Sequence, residues 1–545
     1  MRHAPFLQRD ALLSEATSRS APWDVVVIGG GATGLGAAVD AAARGYETLL
    51  LEQSDFGKGT SSRSTKLVHG GVRYLRQGDV SLVYEALHER GLLLQNAPHV
   101  TRNMEFIIPC YRWWEKPFYG AGLKLYDRMA GDQALGGSSI LSRRRVCECL
   151  PTLRGEGLRG GIRYHDGQFD DARLAVNLAQ TAVEQGGVVL NYARVDAVRK
   201  EAGRITGVVA TDLESGSVWE APARVVVNAT GVFADAVRRM DRPEAEPLLR
   251  PSQGIHIVVD RSFLPGEVAL MVPRTDDGRV LFAVPWHDRV IIGTTDTPLD
   301  GISLEPRALD HEIEFLLSHA GRYLNRPVAP RDVMSVFAGL RPLVSAEGDG
   351  EDTASISRDH VLRISRSGLI TITGGKWTTY RRMAEDTVDR AAEVGGLDVR
   401  PCTTKGLHLH GWTADHDPAA PFAVYGSDAK DVGRVVESTE ANAARIHPRL
   451  PVRRGEVRWA ARVEMARTVD DVLSRRTRAL LLDARASAAA SESVASLLAE
   501  ELGKDALWAA EEAGRFRELA AVYIPEQPAL IDVHQEHPRD ESVED

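Results

Sequence analysis

A chain of 545 residues with 43% hydrophobic and 26% charged residues has an ordinary globular composition, which excludes disordered, collagen-like and disulfide-stapled classes. Lys and Arg number 66 against 76 Asp and Glu, and the resulting net charge of −10 has the wrong sign for a general nucleic-acid binder. At roughly 150 residues per domain, the length predicts three or four domain-sized units.

Residues 1–22 carry Arg2, Arg9, Asp10, Glu15 and Arg19 without an apolar run, so they read as a loose leader and not a secretory signal. Residues 24–28 are an apolar, β-branched run of the buried parallel-strand type. A glycine turn follows, then an alanine-rich helix to Arg44 stopped by Gly45, then a second strand at 48–51 closing on Glu52. Further strands are expected at 187–190, 205–211, 225–227, 255–259, 280–284, 290–292 and 369–373. This mixture predicts an α/β core with an inserted antiparallel sheet. After about residue 400 a linker region is marked by Pro401, Gly411-Trp412 and 415–421, and from Glu456 to the 520s the chain is rich in Ala, Leu and Arg with a helical period, so a separate helical domain is expected at 401–530. Residues 531–545 form an acidic tail. Cys110, Cys147, Cys149 and Cys402 fit neither a disulfide framework nor a metal site, and read as reduced thiols of a cytosolic protein. No apolar stretch reaches the ~18 residues of a membrane span.

Four segments carry chemistry. Gly29-Gly30-Gly31-Ala32-Thr33-Gly34 joins a strand to a helix. Glycines at Gly29, Gly31 and Gly34 let backbone amides approach a pyrophosphate at the positive helix end, and Glu52 can accept from an adenosine ribose. Residues 60–75 crowd hydroxyls and glycines behind the second strand. A nicotinamide enzyme has no use for such a block, whereas an extended flavin cofactor does, on its phosphates and ring. Residues 225–231 end a buried strand in Ala229, Thr230 and Gly231, suited to a second close approach. Residues 368–381 run a strand through Gly374-Gly375-Lys376 into a helix start, whose partial positive charge suits the pyrimidine edge of a reduced flavin.

The order of these segments resembles the FAD-dependent glycerol-3-phosphate dehydrogenase family, over most of the chain. Its marks are Lys66-Leu67-Val68-His69-Gly70-Gly71-Val72-Arg73-Tyr74-Leu75, Asp170-Asp171-Ala172-Arg173-Leu174, Ile292-Gly293-Thr294-Thr295-Asp296, Gly339-Leu340-Arg341-Pro342-Leu343, the 374–381 segment and the 464–478 segment. The resemblance implies a Rossmann-like FAD-binding domain of the glutathione-reductase and D-amino-acid-oxidase type. An antiparallel-sheet substrate domain is inserted at about 76–150 and 245–335, both within 23–400, and a C-terminal helical cap follows at 401–530. FAD is then expected on Gly29, Gly31, Thr33, Gly34, Glu52, Thr60, Ser61, Ser62, Lys66, Leu67, His69, Gly71, Ala229, Gly231, Gly339, Gly375, Lys376 and Thr378. No metal is expected.

Glycerol 3-phosphate presents a dianion, which calls for several cations, preferably guanidinium groups. The resemblance places Arg73, Tyr74, Arg341, Arg358 and Lys376 around it. His256, in an apolar strand, is a candidate base for the C2 hydroxyl, and Arg341 and Lys376 can stabilise the charge that develops. The family's usual acceptor is membrane quinone, ubiquinone or menaquinone, which implies a monotopic protein on the inner face of the cytoplasmic membrane. Residues 111–128 interleave six aromatics with Arg112, Lys116, Lys124 and Arg128, a composition suited to headgroups or, alternatively, to a homodimer surface. A glycerol-3-phosphate oxidase making hydrogen peroxide, and a flavin-binding protein without turnover, are the rival readings.

Overall fold

A computed structural model describes residues 7–71, 80–276, 278–344 and 360–525. The apolar run becomes the strand Trp23–Ile28, central in an eight-stranded sheet. It pairs in parallel with Thr48–Leu51 on one side and Val218–Asn228 on the other, with Val25 opposite both Thr48 and Val225. Val25, Val26 and Val27 are all buried, so both faces of the strand are covered, which is why it is apolar without alternation. The helices Ala32–Ala43, Asp171–Glu184 and Tyr380–Gly395 pack together beside this sheet. The chain leaves the central strand toward one neighbour and returns to the other. A crevice therefore opens beyond its carboxyl end, where open α/β sheets bind ligands.

The second sheet has ten strands drawn from two chain segments, 67–169 and 249–344. These reach beyond the expected insertions of about 76–150 and 245–335, because Leu67–Val68, Gly160–Phe169 and the end of Val333–Val344 pair into the same sheet. In its long ladder, Ser252 lies opposite Arg341, Gly254 opposite Gly339, His256 opposite Phe337 and Val258 opposite Ser335. Side chains two residues apart share a face. Gly254, His256, Gly339 and Arg341 on that face line a cavity, while Val258 and Phe337 further along it join the hydrophobic core of the C-terminal helices. That core is built mainly from Ala484–Leu502 and Ala506–Val522, with Arg454–Val463 against them.

The expected loose leader is corrected in part. Arg9–Ser18 is a helix with Leu12 and Ala16 buried, Leu7 is buried just before it, and Arg9 is buried against Asp212 and the Asn191 carbonyl. The 531–545 tail lies outside the described residues.

Candidate active site

The glycine turn is set by close approach. Gly29 has φ +109°, and a Cβ on it would sit 2.7 Å from the Ala229 carbonyl oxygen. A Cβ on Gly34 would sit 1.9 Å from the Gly29 carbonyl, so Gly34 serves the turn's own packing and does not line the cavity. Gly31 precedes the helix without a capping side chain, and the Ala32 amide donates to Ser61 Oγ at 2.9 Å. Glu52 Oε2 accepts from the Gly30 amide at 2.6 Å and Oε1 from Ser54 at 2.7 Å, while burial raises its carboxyl above the usual range.

A cavity of about 760 Å³ opens over this turn, a size typical of ligand sites. Gly29, Gly31, Thr33, Glu52, Thr60 and Ser61 line it, as do Leu67, His69, Gly71, Ala229 and Gly231. Gly339, Gly375, Lys376 and Thr378 close it from the far side. Side-chain bonds join these segments. The His69 amide donates to Thr378 Oγ1 at 3.2 Å, Trp377 Nε1 donates to the Ser61 carbonyl at 2.8 Å, and the Gly70 amide donates to the Tyr126 hydroxyl at 2.9 Å.

Two residues expected on the cofactor turn away from the cavity. Lys66 is fully buried in left-handed backbone (φ 63°), with Nζ 2.7 Å from both Asp171 oxygens and 2.6 Å from the Ser62 carbonyl. Burial pulls the Lys66 ammonium below its ordinary value and lifts the Asp171 carboxyl. Lys66 and Ser62 thus brace the loop from behind. Arg73, Tyr74 and Arg358 lie outside the described residues.

The opposite wall is polar. Arg341 Nη1 donates to Asp296 Oδ1 at 3.0 Å, and Nη2 donates to the Thr295 carbonyl at 2.8 Å. Asp296 also accepts from Ser252 Oγ. His256 is 3% exposed and stacks on Phe337, ring centroids 4.9 Å apart, with Nε2 2.9 Å from Thr65 Oγ1. Burial, with the Lys66 and Arg341 cations, holds its imidazole well below the usual histidine range, so the ring is neutral at neutral pH. Gly293 gives that ring its place: a Cβ there would lie 2.2 Å from His256 Cδ2.

Several cavity residues carry no role in the sequence reading. Arg63, Thr65 and Thr294 line the wall, Asp296 orients Arg341, and Gly254 leaves the space its guanidinium fills. The available signal was the density of Gly and Thr in 292–296 beside the ladder that carries Arg341.

The residues present fit FAD. The cradle at Gly29 leaves no room for a Cβ, backbone amides open the Ala32–Ala43 helix, an acid closes the second strand, and the cavity runs from there to Lys376. The family model of FAD-dependent oxidoreductases matches residues 24–381, and that of the C-terminal domain of alpha-glycerophosphate oxidase matches 369–509. A Caenorhabditis elegans protein named as a probable mitochondrial glycerol-3-phosphate dehydrogenase is 41% identical over 93% of this chain and 74% of its own. The human mitochondrial glycerol-3-phosphate dehydrogenase is 40% identical, covering 92% and 73%. Among solved structures, the glycerol-3-phosphate dehydrogenase from Bacillus halodurans complexed with FAD matches with a TM-score of 0.78 at 31% identity, over 95% of this chain and 98% of its own.

Proposed function

The chain belongs to the FAD-dependent glycerol-3-phosphate dehydrogenases, and from that premise we propose that it oxidises sn-glycerol 3-phosphate to dihydroxyacetone phosphate and passes the electrons to a membrane quinone, ubiquinone or menaquinone. The observation that carries this reading is the meeting of His256, Arg341 and Lys376 in the wall of one cavity with the glycine turn. Bound FAD supplies a two-electron acceptor. Arg341, oriented by Asp296, and Lys376 hold the anionic substrate. His256 takes the C2 hydroxyl proton at Nε2, the nitrogen that faces Thr65, against the burial and the Lys66 and Arg341 cations that disfavour its charged form. Arg341 stabilises the alkoxide as it forms.

The test is anaerobic addition of glycerol 3-phosphate, followed by reoxidation with quinone and with oxygen in parallel. Bleaching of the flavin and fast recovery with quinone supports the reading. Fast recovery with oxygen and release of peroxide replaces it with an oxidase, and a flavin that never bleaches replaces it with a binding protein. Arg341→Ala is expected to keep its yellow colour and lose turnover. His256→Ala is expected to slow flavin reduction in a single turnover, and an unchanged rate removes it as the base.

For the membrane contact we propose the helix Glu115–Ala130 and the turn before it. Trp113 is 77% exposed, and Phe118 and Leu125 are each 51% exposed, among Arg112, Lys116, Lys124 and Arg128. Aromatic rings beside basic groups suit the headgroup layer of an inner membrane face, and no described helix is long and apolar enough to cross. Replacing Trp113 and Phe118 by Ser is expected to move the protein from the membrane to the soluble fraction. Unchanged membrane recovery with loss of a dimer in sedimentation assigns the face to a second copy instead.

A further inference from the structure

Among the described residues, no part of the cavity wall comes from beyond Thr378. The C-terminal domain nevertheless grips one stretch of that wall, residues 55–63, at two points directly and at a third through Glu305. At its start, Asp55 is fully buried; its Oδ1 accepts from Arg476 Nη2 at 2.8 Å, and its Oδ2 accepts from Arg475 and Arg476. In the middle, Lys58 Nζ lies 2.7 Å from Asp470 Oδ2 and 2.9 Å from Glu305 Oε2. At its end, Arg63 Nη2 lies 2.6 Å from Glu305 Oε1, and the Tyr523 hydroxyl donates to the same oxygen. Arg475 Nη2 joins the first two points, 3.0 Å from Asp470 Oδ2.

The gripped stretch is the one that needs an outside hold. Its regular structure is a single three-residue turn, Thr60–Ser62, yet it supplies Lys58, Thr60, Ser61 and Arg63 to the cavity. Its Ser61 hydroxyl also accepts the first amide of the helix that follows the glycine turn. Asp55, Arg63, Arg475 and Arg476 are buried, and Lys58, Asp470 and Glu305 are largely so; such charges hold a fixed geometry while each keeps its partner, because losing the partner is costly.

We propose that the C-terminal helical domain sets the cofactor-binding segment from outside the cavity. Asp470 and Tyr523 are positioning residues, Asp470 acting on FAD through Lys58 and Tyr523 through Glu305 and Arg63. Two further side-chain contacts of the same domain lie outside this network and away from the cavity, Arg467 on Glu214 at 2.6 Å and Arg173 on Glu464 at 2.8 Å. These provide the control for simple domain adhesion.

The experiment titrates FAD into the full-length apoprotein, following flavin fluorescence, with hydrogen exchange of residues 55–63 measured alongside. Asp470→Asn is expected to weaken FAD about tenfold, equivalent to about 1.4 kcal/mol, and to speed exchange in 55–63. Asp470→Glu is expected to recover most of the affinity, and Arg467→Ala to bind FAD as the parent does. If Asp470→Asn does not fold, Tyr523→Phe carries the test: it removes one hydrogen bond and no charge, and is expected to weaken FAD about threefold. Parental affinity in the folded variant, or an equal loss in Arg467→Ala, overturns the proposal. The readout involves neither substrate nor acceptor, so it stands or fails independently of the quinone reading.

Discussion

Gly254→Ala probes the substrate wall with the smallest perturbation available. Gly254 lies opposite Gly339 in the long ladder, and a Cβ added to it would sit 2.2 Å from Arg341 Nη2 and 2.6 Å from Thr294 Oγ1. Both obstacles are ends of side chains, so the strand can stay where it is. The guanidinium must retreat by about 1.2 Å to reach the 3.4 Å of ordinary contact. That displacement breaks or stretches its bonds to the Thr295 carbonyl and Asp296, at 2.8 and 3.0 Å. A misplacement of about 1 Å in a positioning group costs about 10²-fold in rate, or nearly 3 kcal/mol in the barrier. Replacing a strand Gly by Ala gains about 0.5–1 kcal/mol of backbone entropy, which offsets the weakened Arg341 bonds, so global stability should change little. Stopped-flow reduction by glycerol 3-phosphate without oxygen gives the rate, absorbance gives FAD content, and a thermal melt gives stability. The expected outcome is a full flavin complement, a melt close to parental and reduction slowed about 100-fold. Parental reduction rates would show that Arg341 does not act at the reacting end of the cavity, and loss of FAD would move it to the cofactor.

Lys66→Met should leave Asp171 buried without its cation and cost about 3–5 kcal/mol in urea unfolding. Parental stability combined with weakened FAD would return Lys66 to the cofactor role its sequence neighbourhood implies. His410 lies between Glu184 and Asp428, at 2.6 and 2.8 Å, and these carboxylates raise it from 6.5 to about 9 against the opposing effect of burial. A raised folded value stabilises fully below pH 6.5 and is lost as pH climbs from 6.5 through 9. Urea unfolding of His410→Gln should therefore differ from the parent by about 3 kcal/mol at pH 6 and hardly at all at pH 10; a difference independent of pH would refute the charged pairing. Ser61→Ala removes the acceptor for the Ala32 amide, so the apoprotein should lose about 1 kcal/mol in the same unfolding assay.

The nucleotide half of the site was legible in the chain because its elements are local. Strand, glycine turn, helix, strand and acid fall within thirty residues of one another, and each follows from spacing or steric need. The four segments brought forward do meet at one cavity. The substrate half was harder to read. The strand expected at 255–259 runs over Leu249–Asp260, and its partner Val333–Val344 was marked only by a short motif. Where that ladder faces the cavity, glycines, Arg341 and His256 replace the alternating apolar residues that announce a strand.

What the sequence determined by itself was the cofactor half of the chemistry, a dinucleotide turn and a hydroxyl-rich block of the flavin type, while the cations for a dianion came only from the family resemblance. Only tertiary structure decided which polar residues face the cavity. Lys66 sits in the middle of the hydroxyl block, yet its charge is taken by Asp171, 105 residues away. Asp55 follows the acid Glu52 by three residues, yet it is held by Arg475 and Arg476 from the far end of the chain. A buried charge goes to whichever partner best compensates its desolvation. That partner is chosen by the packing of distant segments, which no local pattern records.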